Sequence, residues 1–353
     1  MKLILGLLFF ISSLASAQEQ DGIDSLVKRK MQEQKLVGVS VGIIVNGKIV
    51  KSTGYGLANI DQRVSATENT VYKLASISKH MVAVAIMKLN EEGKLKLTDT
   101  LRKYFRDAPD AWSKITIRHL LNHTSGLPRE SPGFRFNVAQ PDSVLIKQAY
   151  NTPMTFQTGA SWEYCNLGYF ILADIIRKVS GISFAQYMGN EIFSKFELDN
   201  TRTTSIYDIN PDKAEGYLPK GKDSLVKADV QIALRPSGAF VSNIRDMTKW
   251  EMLIENEKII SGQSWQKMWS DTVLTTRKNP AGGNVFYGYG LQVTDFSHRK
   301  LVFHGGSLPG FRTMYFRFPE ENTAIVLLAN SDQADLAPVA WEIAGILFKN
   351  QQP

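Results

Sequence analysis

The chain has 353 residues, 43% of them hydrophobic, with a formal net charge of +7, five histidines and one cysteine. That hydrophobic content supports a large core and excludes a disordered chain. Cys165 alone rules out an intrachain disulfide, and one cysteine with scattered histidines makes too few ligands for a Cys/His zinc site, so no metal and no cofactor is expected. The basic residues are dispersed, with Lys28-Arg29-Lys30 the longest run and no basic patch interleaved with aromatics, so nucleic acid is not an expected partner.

Met1-Lys2, the greasy run Leu3 to Leu14 and Ala15-Ser16-Ala17 read as a secretory signal peptide over 1–17, cut after Ala17. The run is shorter than the roughly 20 apolar residues that span a bilayer. Gln18 stands where a lipid-anchored precursor needs cysteine, so no stable membrane anchor is expected after cleavage. The expected location is periplasmic or secreted, and 18–353 suits a single domain.

Asp21 to Gln34 has helical spacing through Ile23, Leu26, Val27 and Met31. Val37 to Val45 and Lys48 to Gly54 read as a hairpin about Asn46-Gly47. A helix is predicted from Ser76 to about Glu92, stopped at Gly93; it is apolar nearly all round in its first turns, which places it in the protein's centre. Roughly 98–247 reads as mostly helical with long loops, including a helix from Leu167 to Val179 stopped at Gly181, the Pro/Gly turn Arg235 to Asn243, and a helix about Asp246 to Leu253. The last quarter offers strands at Tyr287 to Thr294, Lys300 to Phe303, Thr313 to Phe318 and Thr323 to Ala329, then a helix from Trp341 to Phe348. The expected class is α+β: one antiparallel sheet built from both chain ends, flanked by helices, with a helical subdomain inserted at 98–247.

Ser76 and Lys79 stand i, i+3 at the start of the buried helix, where a hydroxyl and an amine share one face. Ser-x-x-Lys also occurs at Ser25/Lys28, Ser224/Lys227, Ser264/Lys267 and Ser297/Lys300, none with such a helix behind it. At that position backbone N–H groups favour developing negative charge, and desolvation pushes the lysine toward a neutral, basic amine. Two further signals follow in order: Tyr164-Cys165-Asn166 before the Leu167 helix, and His304-Gly305-Gly306 ending a strand, with Ser307 next. Each has a plainer reading. Ser76 and Asn166 could cap helices, Tyr164 and His304 could be packing residues, and Cys165 reads as a small buried residue. His123 reads as fixing hydrogen bonds in its loop. No Gly-x-Ser-x-Gly elbow is present.

With these three signals in this order, the chain resembles the serine beta-lactamase-related family, which takes in class C beta-lactamases, DD-carboxypeptidases and related esterases and D-amino-acid peptidases. The segments Ile115 to Pro128, Pro236 to Asp246 and Gly305 to Arg312 share the likeness. The resemblance implies that Ser76 attacks a carbonyl to form an acyl-enzyme that water hydrolyses. Lys79 would be the base, alone or sharing the role with Tyr164, and Asn166 would hydrogen-bond Lys79 and the substrate amide. The backbone N–H groups of Ser76 and Ser307 would hold the oxyanion, and Gly305 and Gly306 would let the strand edge approach the substrate. His304, where many relatives carry lysine, would be a second cation or a polar wall. Gly305 replaces the hydroxyl residue that helps bind a substrate carboxylate, so efficient lactam hydrolysis is not expected. Arg312 or Ser307 is left to supply that contact. The implied substrate is a small ester, amide or peptide; the alternative is a non-catalytic member that binds cell-wall peptides or a partner in the same cleft.

Overall fold

The computed structural model describes residues 22–135, 138, 140–203, 212–221, 224–228, 236–238 and 240–349. The expected signal peptide, Asp21, Arg235 and Ala239 lie outside them. Helix α1 (22–34) precedes strands β1 (Gly38–Val45) and β2 (Lys48–Asn59), joined at Asn46-Gly47, whose positive φ angles of 49° and 69° are those of a two-residue hairpin turn. After β3 (Val64–Ser65) and β4 (Tyr72–Lys73), a tight turn at Ala75–Ile77 opens into α2 (Ser78–Glu91). Next come α3 (Ile117–Leu121), α4 (Asp142–Gln148), α5 (Asn166–Ser180) and α6 (Phe184–Tyr187), then short strands β5 (Arg202–Thr203), β6 (Tyr217–Lys220), β7 (Ser224–Lys227) and β8 (Phe240–Ser242). Helices α7 (Ile244–Glu255) and α8 (Gly262–Ser270) lead to β9 (Val273–Lys278), β10 (Asn284–Tyr287), β11 (Gln292–Phe296), β12 (Arg299–Leu308), β13 (Phe311–Phe318) and β14 (Thr323–Ala329), and α9 (Leu336–Phe348) closes the chain.

The main sheet runs β3-β2-β1-β14-β13-β12-β11-β10-β9. Its two ends of sequence meet where β1 pairs antiparallel with β14, Val39 facing Ala329, so the expected α+β sheet from both termini is what forms. Strand β14 shows why such a sheet needs helices on both faces. Ile325, Leu327 and Ala329 enter the core under α1 and α9, while Val326 and Leu328 enter the core that holds α2 and α5. Alternate side chains point to opposite faces, so a strand covered on both sides is apolar throughout. Helix α2 lies at the centre of the second core, and every residue from Met81 to Met87 is buried.

Three expectations about elements change. Tyr287 to Thr294 is not one strand: β10 ends at Tyr287, β11 starts at Gln292, and between them Tyr289 N–H donates to Met268 O. Gly290 there has φ +73°, and a Cβ on it would meet Lys79 O at 2.7 Å. The break is set by close approach to the first turn of α2, a tertiary contact that strand periodicity does not carry. The closing helix begins at Leu336 rather than Trp341, because Pro338 falls in its first turn, where a missing N–H loses nothing. The 98–247 stretch holds helices together with the short strands β5 to β8; β5 and β8 join β4 in one small sheet, and β6 and β7 form another. Among the described residues no helix is long and apolar enough to cross a membrane.

Candidate active site

Ser76 lies in the turn before α2, and the residue ahead of it, Ala75, has φ +52°. A non-glycine residue held there stores on the order of 1–3 kcal/mol, so the surroundings must enforce it. They do so through β12 and β13. Thr313 Oγ1 donates to Leu74 O at 2.9 Å, and β12 lies so close that a Cβ on Gly306 would meet Leu74 O at 2.5 Å and Ala75 Cβ at 3.1 Å. Ser76 is not a helix cap: the caps of the turn and of α2 are Leu74 and Ile77, and neither end has a side-chain cap hydrogen bond. The neighbouring Ser78 is a structural serine, its Oγ accepting from Phe240 N–H at 3.1 Å.

Lys79 is fully buried beneath Ser76. Its Nζ lies 3.2 Å from Ser76 Oγ and donates to Ser237 O at 2.7 Å, and it sits over the rings of Tyr164 (4.7 Å) and Tyr169 (5.5 Å). Among the described residues no carboxylate is within ion-pair distance of it. Burial drives the amine well below the ordinary lysine value; Glu130 opposes this at longer range and Arg129 adds to it. Burial thus favours the neutral form of an amine that touches a hydroxyl.

Tyr164 lines the cleft with Ser76, and burial raises its phenol, which a hydrogen bond with Ser76 offsets only in part. The phenol is therefore neutral, and of the two candidate bases the geometry favours Lys79. His304 is buried, its Nδ1 facing Gly305 O at 2.6 Å and its Nε2 facing Tyr287 Oη at 3.1 Å. Burial first, and then Lys79 in its protonated form, lowers it to about 3, which favours a neutral ring over the second-cation option. Gly305, Gly306 and Ser307 line the same cleft. A Cβ on Gly305 would meet Met314 Cε at 3.3 Å, a tight approach to the far end of a flexible side chain that can give way.

Asn166 lines the cleft but is not bonded to Lys79, which corrects the expectation. Its Nδ2 donates to Glu130 Oε1 at 2.5 Å. The α5 cap is Cys165, whose Sγ accepts from Gly168 N–H at 3.3 Å and donates to Pro128 O at 3.3 Å, so Cys165 is a buried structural thiol. His123 fixes its loop as expected: its Nδ1 accepts from Cys165 N–H at 3.2 Å, and its ring packs on Tyr164 and Tyr287, each at 4.5 Å.

Four contributors escape sequence reasoning: Ser237 through its carbonyl, Glu130, and the pair Arg129 and Arg277. The first lies within a segment already marked by the likeness, and Arg129-Glu130 follow directly on another; no spacing rule singles them out. Arg129 and Arg277 reach the Tyr164 ring at 5.3 and 5.5 Å, are exposed, and have no ion-pair partner among the described residues. Arg312, by contrast, is occupied by Asp332 at 2.9 Å and by the carbonyls of Leu308 and Phe311. The cleft has a volume of about 680 Å³ and extends from Ser76 past Met314 to Leu336 at the start of α9. Among the described residues no group of three or more His, Cys, Asp or Glu is placed to hold a metal.

The family model described as Beta-lactamase matches residues 23–347. Protein flp of Staphylococcus aureus (strain MW2) is 28% identical over 329 residues, which cover 88% of this chain and 63% of that protein. The chain thus spans less than two thirds of the length of the curated relatives of that kind. The octameric penicillin-binding protein homologue from Pyrococcus abyssi superposes with a TM-score of 0.84 at 28% identity, over 93% of this chain and 77% of that one. D-amino acid amidase from Ochrobactrum anthropi SV3, complexed with L-phenylalanine, superposes with a TM-score of 0.82 at 20% identity, over 94% and 98%, a likeness of fold.

Proposed function

The chain belongs to the beta-lactamase family, and from that premise we propose that it is an exported serine hydrolase cleaving an ester or amide through an acyl-enzyme on Ser76. The observation that carries the reading is the fully buried Lys79 amine at 3.2 Å from Ser76 Oγ, where burial favours its neutral form. As Oγ bonds to the substrate carbonyl carbon, its proton passes to Lys79 Nζ, and the carbonyl electron pair moves to oxygen, held by the backbone N–H groups of Ser76 and Ser307. Lys79 then returns the proton to the leaving amine or alkoxide, with the neutral Tyr164 hydroxyl as the relay between them. Water attacks the acyl-enzyme, losing its proton to the restored Lys79 amine, which passes it to Ser76 Oγ as the Oγ–C bond breaks and the acid leaves.

An amide or peptide substrate is supported by the relatives, one a penicillin-binding protein homologue and one a D-amino acid amidase. Arg129 and Arg277 at the mouth, with no ion-pair partner among the described residues, favour a substrate carrying an anionic group. Gly305 speaks against efficient lactam hydrolysis. Export rests on the signal-like 1–17 segment. A fluorophosphonate should add one adduct mass to the wild type, mapping to Ser76, and none to Ser76→Ala; a wild type that stays unlabelled at high probe dose overturns the reading. A panel of p-nitrophenyl esters, D-amino-acid amides and a chromogenic cephalosporin then sorts the substrate class.

A further inference from the structure

Acylation as proposed turns Lys79 into an ammonium inside a site with no water contact of its own. A buried cation without a counter-charge is costly, so the groups facing it decide whether it can form at all. From α3 and its following loop come His123, lowered by burial, and Arg129, a positive charge. From the start of α5 and the residues before it come Tyr164 and Tyr169, both raised by burial, and Cys165, raised by burial to about 12. From β12 comes His304, neutral at about 3. All of these are neutral or positive. One carboxylate faces the amine, Glu130, which burial raises while Asn166, Lys79 and Arg129 draw it down.

Glu130 is also tied into the site by geometry. Its Oε1 accepts from Asn166 Nδ2 at 2.5 Å, and that bond turns the other end of the amide, Oδ1, away as an acceptor. Among the described residues both Asn166 Oδ1 and Glu130 Oε2 are buried atoms with no hydrogen-bond partner. Two unpartnered acceptors on residues that line the Ser76 cleft, one of them on the carboxylate that acts electrostatically on Lys79, are open to the donors of an amine that must gain a third N–H. The neutral amine needs none of them, since Nζ already meets Ser76 Oγ and Ser237 O.

We infer that Glu130, held by Asn166, is the positioning counter-charge of the reaction: the Glu130–Asn166 pair receives the Lys79 ammonium that forms when Ser76 gives up its proton. The inference rests on the Ser76 acyl-enzyme reading. Atoms balance within it: the Ser76 Oγ–H bond breaks as the Oγ–C bond forms, the proton moves to Nζ, and Glu130 supplies charge without taking the proton. Asn166 thereby serves Lys79 after proton transfer rather than before it.

The test follows the pH dependence of Ser76 phosphonylation in the wild type, Glu130→Gln, Glu130→Ala and Glu130→Asp, each first checked for folding by circular dichroism. Removing a negative charge destabilises the ammonium, so the acid limb, where Lys79 loses its proton, moves to lower pH by about one unit in the two neutral variants. The plateau rate falls about 10- to 100-fold. Glu130→Asp keeps the charge and restores the limb to within about 0.3 units of the wild type. Loss of packing alone lowers the plateau without moving the limb, so an unmoved limb in either folded neutral variant overturns the inference while leaving the Ser76 reading intact. A wild type that takes no label overturns the reading itself.

Discussion

Two buried cations in this fold meet opposite fates. Arg317, on β13, is 4% exposed at its side chain and lies between Glu251 at 2.5 Å and Glu255 at 2.9 Å, both on α7. Burial works against its charge, but Glu251 and its neighbours outweigh burial and hold it protonated. Tyr315 donates to Glu251 Oε1 at 2.5 Å and closes the cluster. Lys79 is buried as deeply, but its contacts are two neutral oxygens and two aromatic rings with Glu130 acting only from beyond ion-pair distance, so burial outweighs it and favours the neutral amine. The two sites are neighbours: His80, next to Lys79, stacks on Tyr315 with ring centroids 5.0 Å apart. A buried cation given carboxylates is a brace between sheet and helix; one denied them becomes a base.

Replacing each cation by methionine separates the two roles. Lys79→Met removes no ion pair, so its melting point should match or exceed the wild type, while acylation of Ser76 falls by about 10⁴-fold. Stopped-flow labelling against a thermal melt reads both. Arg317→Met leaves the buried Glu251 and the partly buried Glu255 without their counter-charge and should cost about 3–5 kcal/mol in urea unfolding, with the labelling rate of the folded fraction unchanged.

The histidines around both sites sharpen the contrast. His80, His123 and His304 are buried and lowered from 6.5, His80 and His304 to about 3. Their unfolded forms take up protons below about pH 6.5 while the folded forms do not, so the unfolded state binds more protons and stability drops as pH falls. The contribution is complete above pH 6.5 and is lost at up to about 1.4 kcal/mol per pH unit for each histidine until the folded value is reached. Urea titrations from pH 7 to 4 should show this slope; a flat profile would mean the rings are charged in the fold. The smallest effect belongs to Gly305→Ser, where a Cβ would first meet the flexible side-chain end of Met314 at 3.3 Å and then Thr313 O at 3.8 Å. Stability should stay within about 0.5 kcal/mol, and any rise in cephalosporin turnover measures what the missing hydroxyl withholds.

Much of this was legible in the chain. The Asn46-Gly47 turn, the all-apolar α2 and the strand-rich last quarter each follow from local rules, and the family resemblance implies that Ser76, Lys79, Tyr164 and His304 share one cleft. What escaped lies in tertiary contact. Gly290 breaks a strand because it abuts Lys79 O, and Ser237 acts through a carbonyl, which no side-chain pattern records. Asn166 turns to Glu130 rather than to Lys79 because a carboxylate is the stronger acceptor for its amide, and Glu130 itself sits in a loop without periodicity.

The central claim is that Ser76 is activated by a lysine kept neutral by burial, and the rate of Ser76 phosphonylation against pH tests it most directly. The account predicts a rate that is already on its plateau at neutral pH, its acid limb lying well below the ordinary lysine value of 10.5. A rate that climbs steadily with pH to about 10, tracking an ordinary lysine, would contradict it.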